Sequence, residues 1–174
     1  MRIILIGGKA RAGKDTTADY IIKKIGNDKV CRIQVGQYIK YYAEKYFGWD
    51  GKEETKPRAL LQELGTEVIR NKIDPDFHID RLIQDFKVLS YFYDTFIVSD
   101  VRFPVEIEKV KSTFDDVVSI KVLRDTEILT SKQKSHSTET ALDNYNNFDY
   151  IIDNNGTLEE LEGKVNNLLK EMGD

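Results

Sequence analysis

The segment from Arg2 to Ile25 constrains the fold more than any other part of the chain. Ile3 to Ile6 is an unbroken apolar run that stops at Gly7-Gly8, the pattern of a strand buried on both faces. Ala18, Ile21, Ile22 and Ile25 then recur at helical spacing before Gly26-Asn27, which predicts a helix from about Lys14 to Ile25. Between strand and helix lies Gly8-Lys9-Ala10-Arg11-Ala12-Gly13-Lys14, with the spacing G-x-x-x-x-G-K. Its position gives the spacing meaning: glycines let the backbone wrap around phosphate oxygens, and the amides and helix N-terminus supply positive potential. The backbone of Gly8, Ala10, Arg11, Ala12 and Gly13 is therefore expected to cradle the phosphates of ATP, with Lys14 bridging β and γ. Asp15 or Thr16 would reach Mg²⁺, directly or through water. The competing reading is an ordinary glycine turn with a solvent-facing lysine.

At 174 residues the chain fits a single domain spanning 1–174. Forty per cent apolar and 32% charged residues are ordinary for a globular protein. No apolar run approaches the roughly 20 residues of a membrane span, and the N-terminal run is too short for a signal peptide, so a cytoplasmic protein is expected. Cys31 is the one cysteine, which leaves no intramolecular disulfide or cysteine cluster, and its apolar neighbours suggest a buried thiol. The formal charge of −4 argues against nonspecific nucleic-acid binding. A small anionic ligand needs only a few local cations.

Beyond the first helix, strands are expected at Val30–Val35, within Phe92–Ser99, at Asp116–Leu123 and at Phe148–Ile152. Helices are expected over Gln37–Phe47, from Pro57 to about Lys72, from Pro75 through Phe86, and after Pro104. The aromatic stripe Tyr38, Tyr42, Tyr46 reads as packing. Thr157 with Glu160 forms a capping box ahead of Leu161, Val165, Leu168, Leu169 and Met172, which predicts a closing helix. Alternating strands and helices imply an α/β fold, with a mostly parallel sheet covered on both faces.

From Gly8 the run Gly-Lys-Ala-Arg-Ala-Gly-Lys-Asp-Thr-Thr-Ala-Asp-Tyr resembles the deoxynucleoside monophosphate kinases of phages and bacteria, a branch of the P-loop kinases in which Gly-Lys-Asp replaces Gly-Lys-Ser/Thr. Leu60-Leu61-Gln62-Glu63-Leu64-Gly65-Thr66-Glu67 is similar to that family's helix beside the acceptor. Ser99-Asp100-Val101-Arg102-Phe103-Pro104 resembles its Walker B region, and Ser135-His136-Ser137-Thr138-Glu139 the segment after its lid. Asp153-Asn154-Asn155-Gly156-Thr157 is similar to the turn near the donor adenine, which adds Asn155 to the expected ATP contacts. The resemblance implies a three-layer α/β/α fold with a five-stranded parallel sheet of order 2-3-1-4-5. It also implies an acceptor region of about 36–90, a lid of about 124–137, and transfer of the ATP γ-phosphate to a (deoxy)nucleoside 5′-monophosphate. Two departures stand out: Gln34-Val35-Gly36-Gln37 replaces the common Phe-Ala-Asp-Pro, and the lid from Asp125 to Lys134 offers Lys132 and Lys134 but no arginine. Phosphomevalonate kinases of animal type share the Gly-Lys-Asp loop. A kinase of another phosphorylated metabolite, such as phosphomevalonate or dephospho-coenzyme A, and a non-catalytic ATP-binding protein therefore remain alternatives.

Phosphoryl transfer between two polyanions needs cations on both sides of the moving group. Arg58, Gln62, Thr66 and Arg70 recur every four residues, opposite Leu60, Leu61, Leu64 and Val68, as a stripe that would line the acceptor groove or else face solvent. Arg102 lies just past a strand end, where ligands of parallel sheets collect, and can take a phosphate bidentately. Asp100 would bind Mg²⁺ through water or cap a turn. Arg124 starts the lid and would touch the transferring group on closure, or be a plain surface arginine. His78 and His136 are read as structural, because the acceptor phosphate needs no histidine base.

Overall fold

The first strand, β1 (Arg2–Gly7), forms the middle of a five-stranded sheet and is buried along Ile3–Ile6, as its unbroken apolar run requires. The computed structural model describes residues 1–125 and 137–173. It divides into two compact units: Met1–Ile33 with Leu89–Asp174, and Gln34–Val88.

In the first unit, β1 is followed by α1 (Lys14–Ile25), β2 (Val30–Ile33), β3 (Thr95–Val101), α5 (Pro104–Thr113), β4 (Val117–Leu123), the single turn α6 (Ser137–Thr140), β5 (Tyr150–Asp153) and α7 (Leu158–Met172). Among the described residues all pairings are parallel, and the strand order is β2-β3-β1-β4-β5, as expected. Alternation along β1 sends Ile4 and Ile6 into a core shared with Ala18 and Ile21 of α1, Ile97, Ile120, Val122 and Ile152 of the sheet, and Leu161, Val165, Leu168 and Leu169 of α7. Each of those leucines and valines contributes about 1.5–3 kcal/mol by leaving water. The Thr157 hydroxyl accepts from the Glu160 amide at 3.2 Å and starts α7 where the capping box puts it.

The second unit holds α2 (Gln37–Phe47), the short α3 (Arg58–Gln62), a π-helical stretch (Glu63–Ile73) and α4 (Phe77–Leu89) up to Val88. Ala43, Phe86, Leu82 and Ile79 form its most deeply buried apolar positions.

Several expectations are corrected. The second strand stops at Ile33, and Cys31 is half-buried rather than buried, because β2 is a short edge strand paired on one side only. The third strand starts inside its expected span at Thr95 but runs past Ser99 to Val101, where it bulges and pairs with Gly7. Ahead of it the Phe92 amide bonds back to the Leu89 carbonyl to close α4, and Tyr91 and Phe92 are strongly exposed. The fifth strand starts at Tyr150. The third helical segment begins at Phe77, since Pro75-Asp76 form a turn in which the Asp76 amide donates to the Asp74 carboxylate at 2.9 Å. Tyr46 is exposed, and packs 6.2 Å from the Tyr42 ring along α2 rather than into a core. The single helix expected from Pro57 is α-helical only to Gln62. Beyond that its wider π repeat rotates positions four apart out of line. Thr66, assigned to the polar stripe, is 8% exposed and buried beside Gly65 and Ile69, while Leu60, Leu61, Leu64 and Val68 are only partly covered.

Candidate functional site

The glycine loop bends where its two glycines stand. Gly8 has φ 144° and Gly13 φ 98°, and a Cβ would overlap the Val122 carbonyl at the first and the Asn154 amide at the second. Arg11 also takes a positive φ, 62°, at the loop's exposed tip. The loop is thus shaped by backbone that only glycine fits at its two ends.

Lys14 is 8% exposed, and its Nζ donates to the Lys9 carbonyl at 2.7 Å. The solvent-facing lysine of the competing reading is therefore corrected: the ammonium is folded over its own loop. Thr17 is fully buried and its hydroxyl donates to the Gly13 carbonyl at 2.9 Å, while Thr16 is half-buried beside it. Asn154, 3% exposed, donates from Nδ2 to the Ala12 carbonyl at 2.8 Å. Asn154, rather than Asn155, braces the loop from behind. Asn155 is exposed, accepts from the Asp125 amide at 2.8 Å, and so ties the turn after β5 to the chain leaving β4.

A β-bulge sits at the same end of the sheet. Leu5 pairs with Val98 and Gly7 with Val101, so one β1 residue faces two of β3, Ser99 and Asp100. Ser99 is 1% exposed and donates to Asp15 Oδ1 at 2.8 Å. The Arg32 guanidinium reaches the same cluster: Nη2 donates to Ser99 Oγ at 2.9 Å and to Asp15 Oδ1, and Nη1 donates to Asp19 Oδ1 at 2.7 Å. Arg32 has no counterpart in the sequence reading; the signal for it was the pair Asp15 and Asp19 one helical turn apart, which calls for a cation.

Arg102 follows the bulge. Buried Glu106 accepts from the Arg102 amide at 2.7 Å and the Phe103 amide at 3.1 Å, fixing the start of α5, and Arg102 Nη1 lies 3.5 Å from the Gly8 carbonyl. Its side chain therefore stands beside the glycine loop. Arg124 is exposed at the end of β4. The sequence-assigned lid, including Lys132, Lys134, Ser135 and His136, lies outside the described residues apart from its two ends.

The candidate acceptor residues belong to the helical unit. Arg58 pairs with Glu53 at 2.7 Å, Gln62 is exposed, and Arg70 Nη1 donates to the Pro75 carbonyl at 3.1 Å. His78 is buried with Nε2 3.2 Å from the Gly65 carbonyl, bracing α4 against the π-helical stretch. Asp85 accepts from the Tyr38 hydroxyl at 2.8 Å; burial first, then this bond, holds the phenol above its ordinary pKa.

The donors available for a cation are hard oxygens, Asp15, Thr16 and Asp100. Among the described residues no group of three His, Cys, Asp or Glu gathers as a cage. Such a set suits a cation that keeps water and takes phosphate oxygens, as Mg²⁺ does. No helix among the described residues is long and apolar enough to cross a membrane.

Solved structures share this architecture. A sugar kinase from Janibacter sp. HTCC2649 superposes with a TM-score of 0.62 at 10% identity, over 98% of this chain and 95% of that one. Shikimate kinase from Acinetobacter baumannii superposes with a TM-score of 0.56 at 11% identity, over 98% and 94%. These likenesses speak for the fold. In sequence, the chain is 31% identical over 170 residues to an uncharacterised protein of Ictalurid herpesvirus 1 (strain Auburn), covering 95% of this chain and 69% of that one. A putative deoxynucleotide monophosphate kinase of Acanthamoeba polyphaga mimivirus is 25% identical over 187 residues, covering 92% of each. The deoxynucleotide monophosphate kinase of Enterobacteria phage T4 is 32% identical over 125 residues, covering 68% of this chain and 47% of that enzyme. Residues 32–165, well over half of the chain, match the family described as deoxynucleotide monophosphate kinase, and the chain belongs to this family of nucleotide-dependent kinases.

Proposed function

We propose that the protein transfers the γ-phosphoryl group of ATP to the 5′-phosphate of a deoxynucleoside monophosphate, giving a deoxynucleoside diphosphate and ADP. The observation that carries this reading is the buried Lys14 ammonium, folded over a loop whose ends admit only glycine, with Arg102 beside it. Such transfer asks the protein mainly for positioning and charge stabilisation. Backbone amides of Gly8, Ala10, Arg11, Ala12 and Gly13 hold the donor phosphates, and Lys14 exchanges the Lys9 carbonyl for β and γ oxygens. Arg102 takes a phosphate oxygen of the transferring group, and Arg124 meets it from the lid side. Asn155, at the turn after β5, borders the adenine. Asp15, Thr16 and Asp100 orient hydrated Mg²⁺, which when bound neutralises charge on the β and γ phosphates. Arg58, Gln62 and Arg70 of the helical unit contact the acceptor, while buried Thr66 acts there through the backbone shape of the π-helical stretch.

The test is ADP release, coupled to an indicator reaction, with ATP·Mg²⁺ and a panel of nucleoside and deoxynucleoside monophosphates, phosphomevalonate and dephospho-coenzyme A. Turnover is expected with at least one deoxynucleoside monophosphate. Turnover confined to either of the last two would reassign the acceptor, and retained ATP binding without turnover on any would make the chain a nucleotide-binding protein.

A further inference from the structure

Resting on the proposed ATP·Mg²⁺ site, we infer that Arg32 is a positioning residue for phosphoryl transfer: its guanidinium locks the Asp15 carboxylate against Ser99 and so sets how strongly magnesium tightens nucleotide binding. Three elements meet at this one side chain. From β2, Arg32 reaches Asp15 and Asp19 on α1 and Ser99 in the β3 bulge, next to Asp100. Ser99 closes the triangle by donating to the same Asp15 oxygen that Arg32 uses. Both bonds end on Oδ1, so the carboxylate is held by one oxygen and keeps acceptor capacity on Oδ2.

The magnitudes separate orientation from stability. The Asp15 side chain is 75% exposed and that of Asp19 63%, a setting in which ion pairs add little to the stability of a fold. What the arrangement does achieve is a fixed direction for a carboxylate that would otherwise sample several rotamers in water. A guanidinium can span three acceptors through two nitrogens, whereas a lysine ammonium is a point charge on a flexible stem. Fixing Asp15 presents a preformed oxygen acceptor to a hydrated cation, which lowers the ordering cost when metal and nucleotide arrive together.

The experiment is calorimetric titration with ATP, once in excess EDTA and once in excess MgCl₂, on the intact chain and on Arg32→Ala, Arg32→Lys, Ser99→Ala, Asp15→Asn and the Arg32→Ala/Asp15→Asn pair. The readout is the ratio of the two dissociation constants. Arg32→Ala and Arg32→Lys are both expected to lower that ratio at least roughly fivefold, with Ser99→Ala moving it the same way and Asp15→Asn matching the arginine variants. The double variant should lose no more than either single change, because both remove one device. A ratio restored by Arg32→Lys would mean that charge alone matters and would overturn the inference. So would equal weakening with and without magnesium, additive losses in the double variant, or no change. Arg32→Lys and Ser99→Ala decide the matter if Arg32→Ala loses its native circular dichroism. Absence of ATP affinity in the unaltered chain would bring down the proposed function along with the inference, whereas normal affinity with an unaltered ratio in the variants would bring down the inference alone.

Discussion

Replacing Gly13 by alanine should damage the loop through two separable costs. The first is local: at φ 98° an L side chain meets its own backbone, a penalty of about 1–2 kcal/mol. The second is a collision, since the new Cβ would occupy the space of the Asn154 amide, which is 3% exposed and donates to the Ala12 carbonyl at 2.8 Å. Pushing that amide away forfeits a buried hydrogen bond, about 1–3 kcal/mol. Together the substitution should cost about 2–5 kcal/mol, the sum of those two ranges. Urea unfolding of the parent, Gly13→Ala, Asn154→Ala and the double variant separates the terms. With Asn154 shortened, the collision is gone, so Gly13→Ala should then cost only its backbone share of about 1–2 kcal/mol. Strict additivity, or a Gly13→Ala cost below about 1 kcal/mol in the parent, would refute the view that Asn154 braces this loop.

Other substitutions probe the same end of the sheet. Gly8→Ala places its Cβ on the Val122 carbonyl, a backbone atom of β4 that cannot swing aside, so ATP affinity measured by calorimetry should fall more than for Gly13→Ala. Equal or smaller loss would mean that the loop shifts as a body. Arg102→Ala should lower kcat/KM at least roughly tenfold, about 1.4 kcal/mol of transition-state stabilisation, and an unchanged value removes Arg102 from the chemistry. Asp149 offers a pH test. Burial alone would push its carboxyl up, but hydrogen bonds from Lys111 and Ser119 outweigh that and hold it below the usual carboxylate value. A depressed carboxylate stabilises the fold above its unfolded pKa, about 3.9, and loses that contribution as pH falls through the folded value. Asp149→Asn should therefore cost about 1 kcal/mol at pH 7, allowing for a side chain 40% exposed. The gap to the parent should close below about pH 4, and a gap that persists in acid would contradict the assignment.

The parts of this molecule that could be read directly from the sequence are those whose causes are local. The run Ile3–Ile6, the glycines that end it and the spacing Ala18, Ile21 lie within a few residues of one another, and the structure has β1, the loop and α1 where that pattern puts them. The hydroxyl of Thr157 and the amide of Glu160 are three positions apart, so the start of α7 was equally plain. The π-helical turns after Gln62 were not visible, because Leu60, Leu61, Leu64 and Val68 fit an α-helical face. Asn154 and Asn155 are chemically identical neighbours, and only their orientation at the end of β5 makes one a buried brace and the other an exposed tie.

Arg32 marks the limit more sharply. Its partners Asp15 and Ser99 stand 17 and 67 residues away, so no window of sequence contains the cluster. Strand order alone puts β2 beside β3. The register then sets Arg32 against Ile97, and a step of two residues brings Ser99 to the same face, the side on which Ile97 packs with α1. That helix carries Asp15 and Asp19 one turn apart on the side that Arg32 meets. A one-residue slip of β2 would turn Arg32 to the opposite face and leave both carboxylates without their cation. The cluster is thus a product of sheet register, and its dependence on register is why a positioning arginine can sit in a four-residue edge strand with nothing local to announce it.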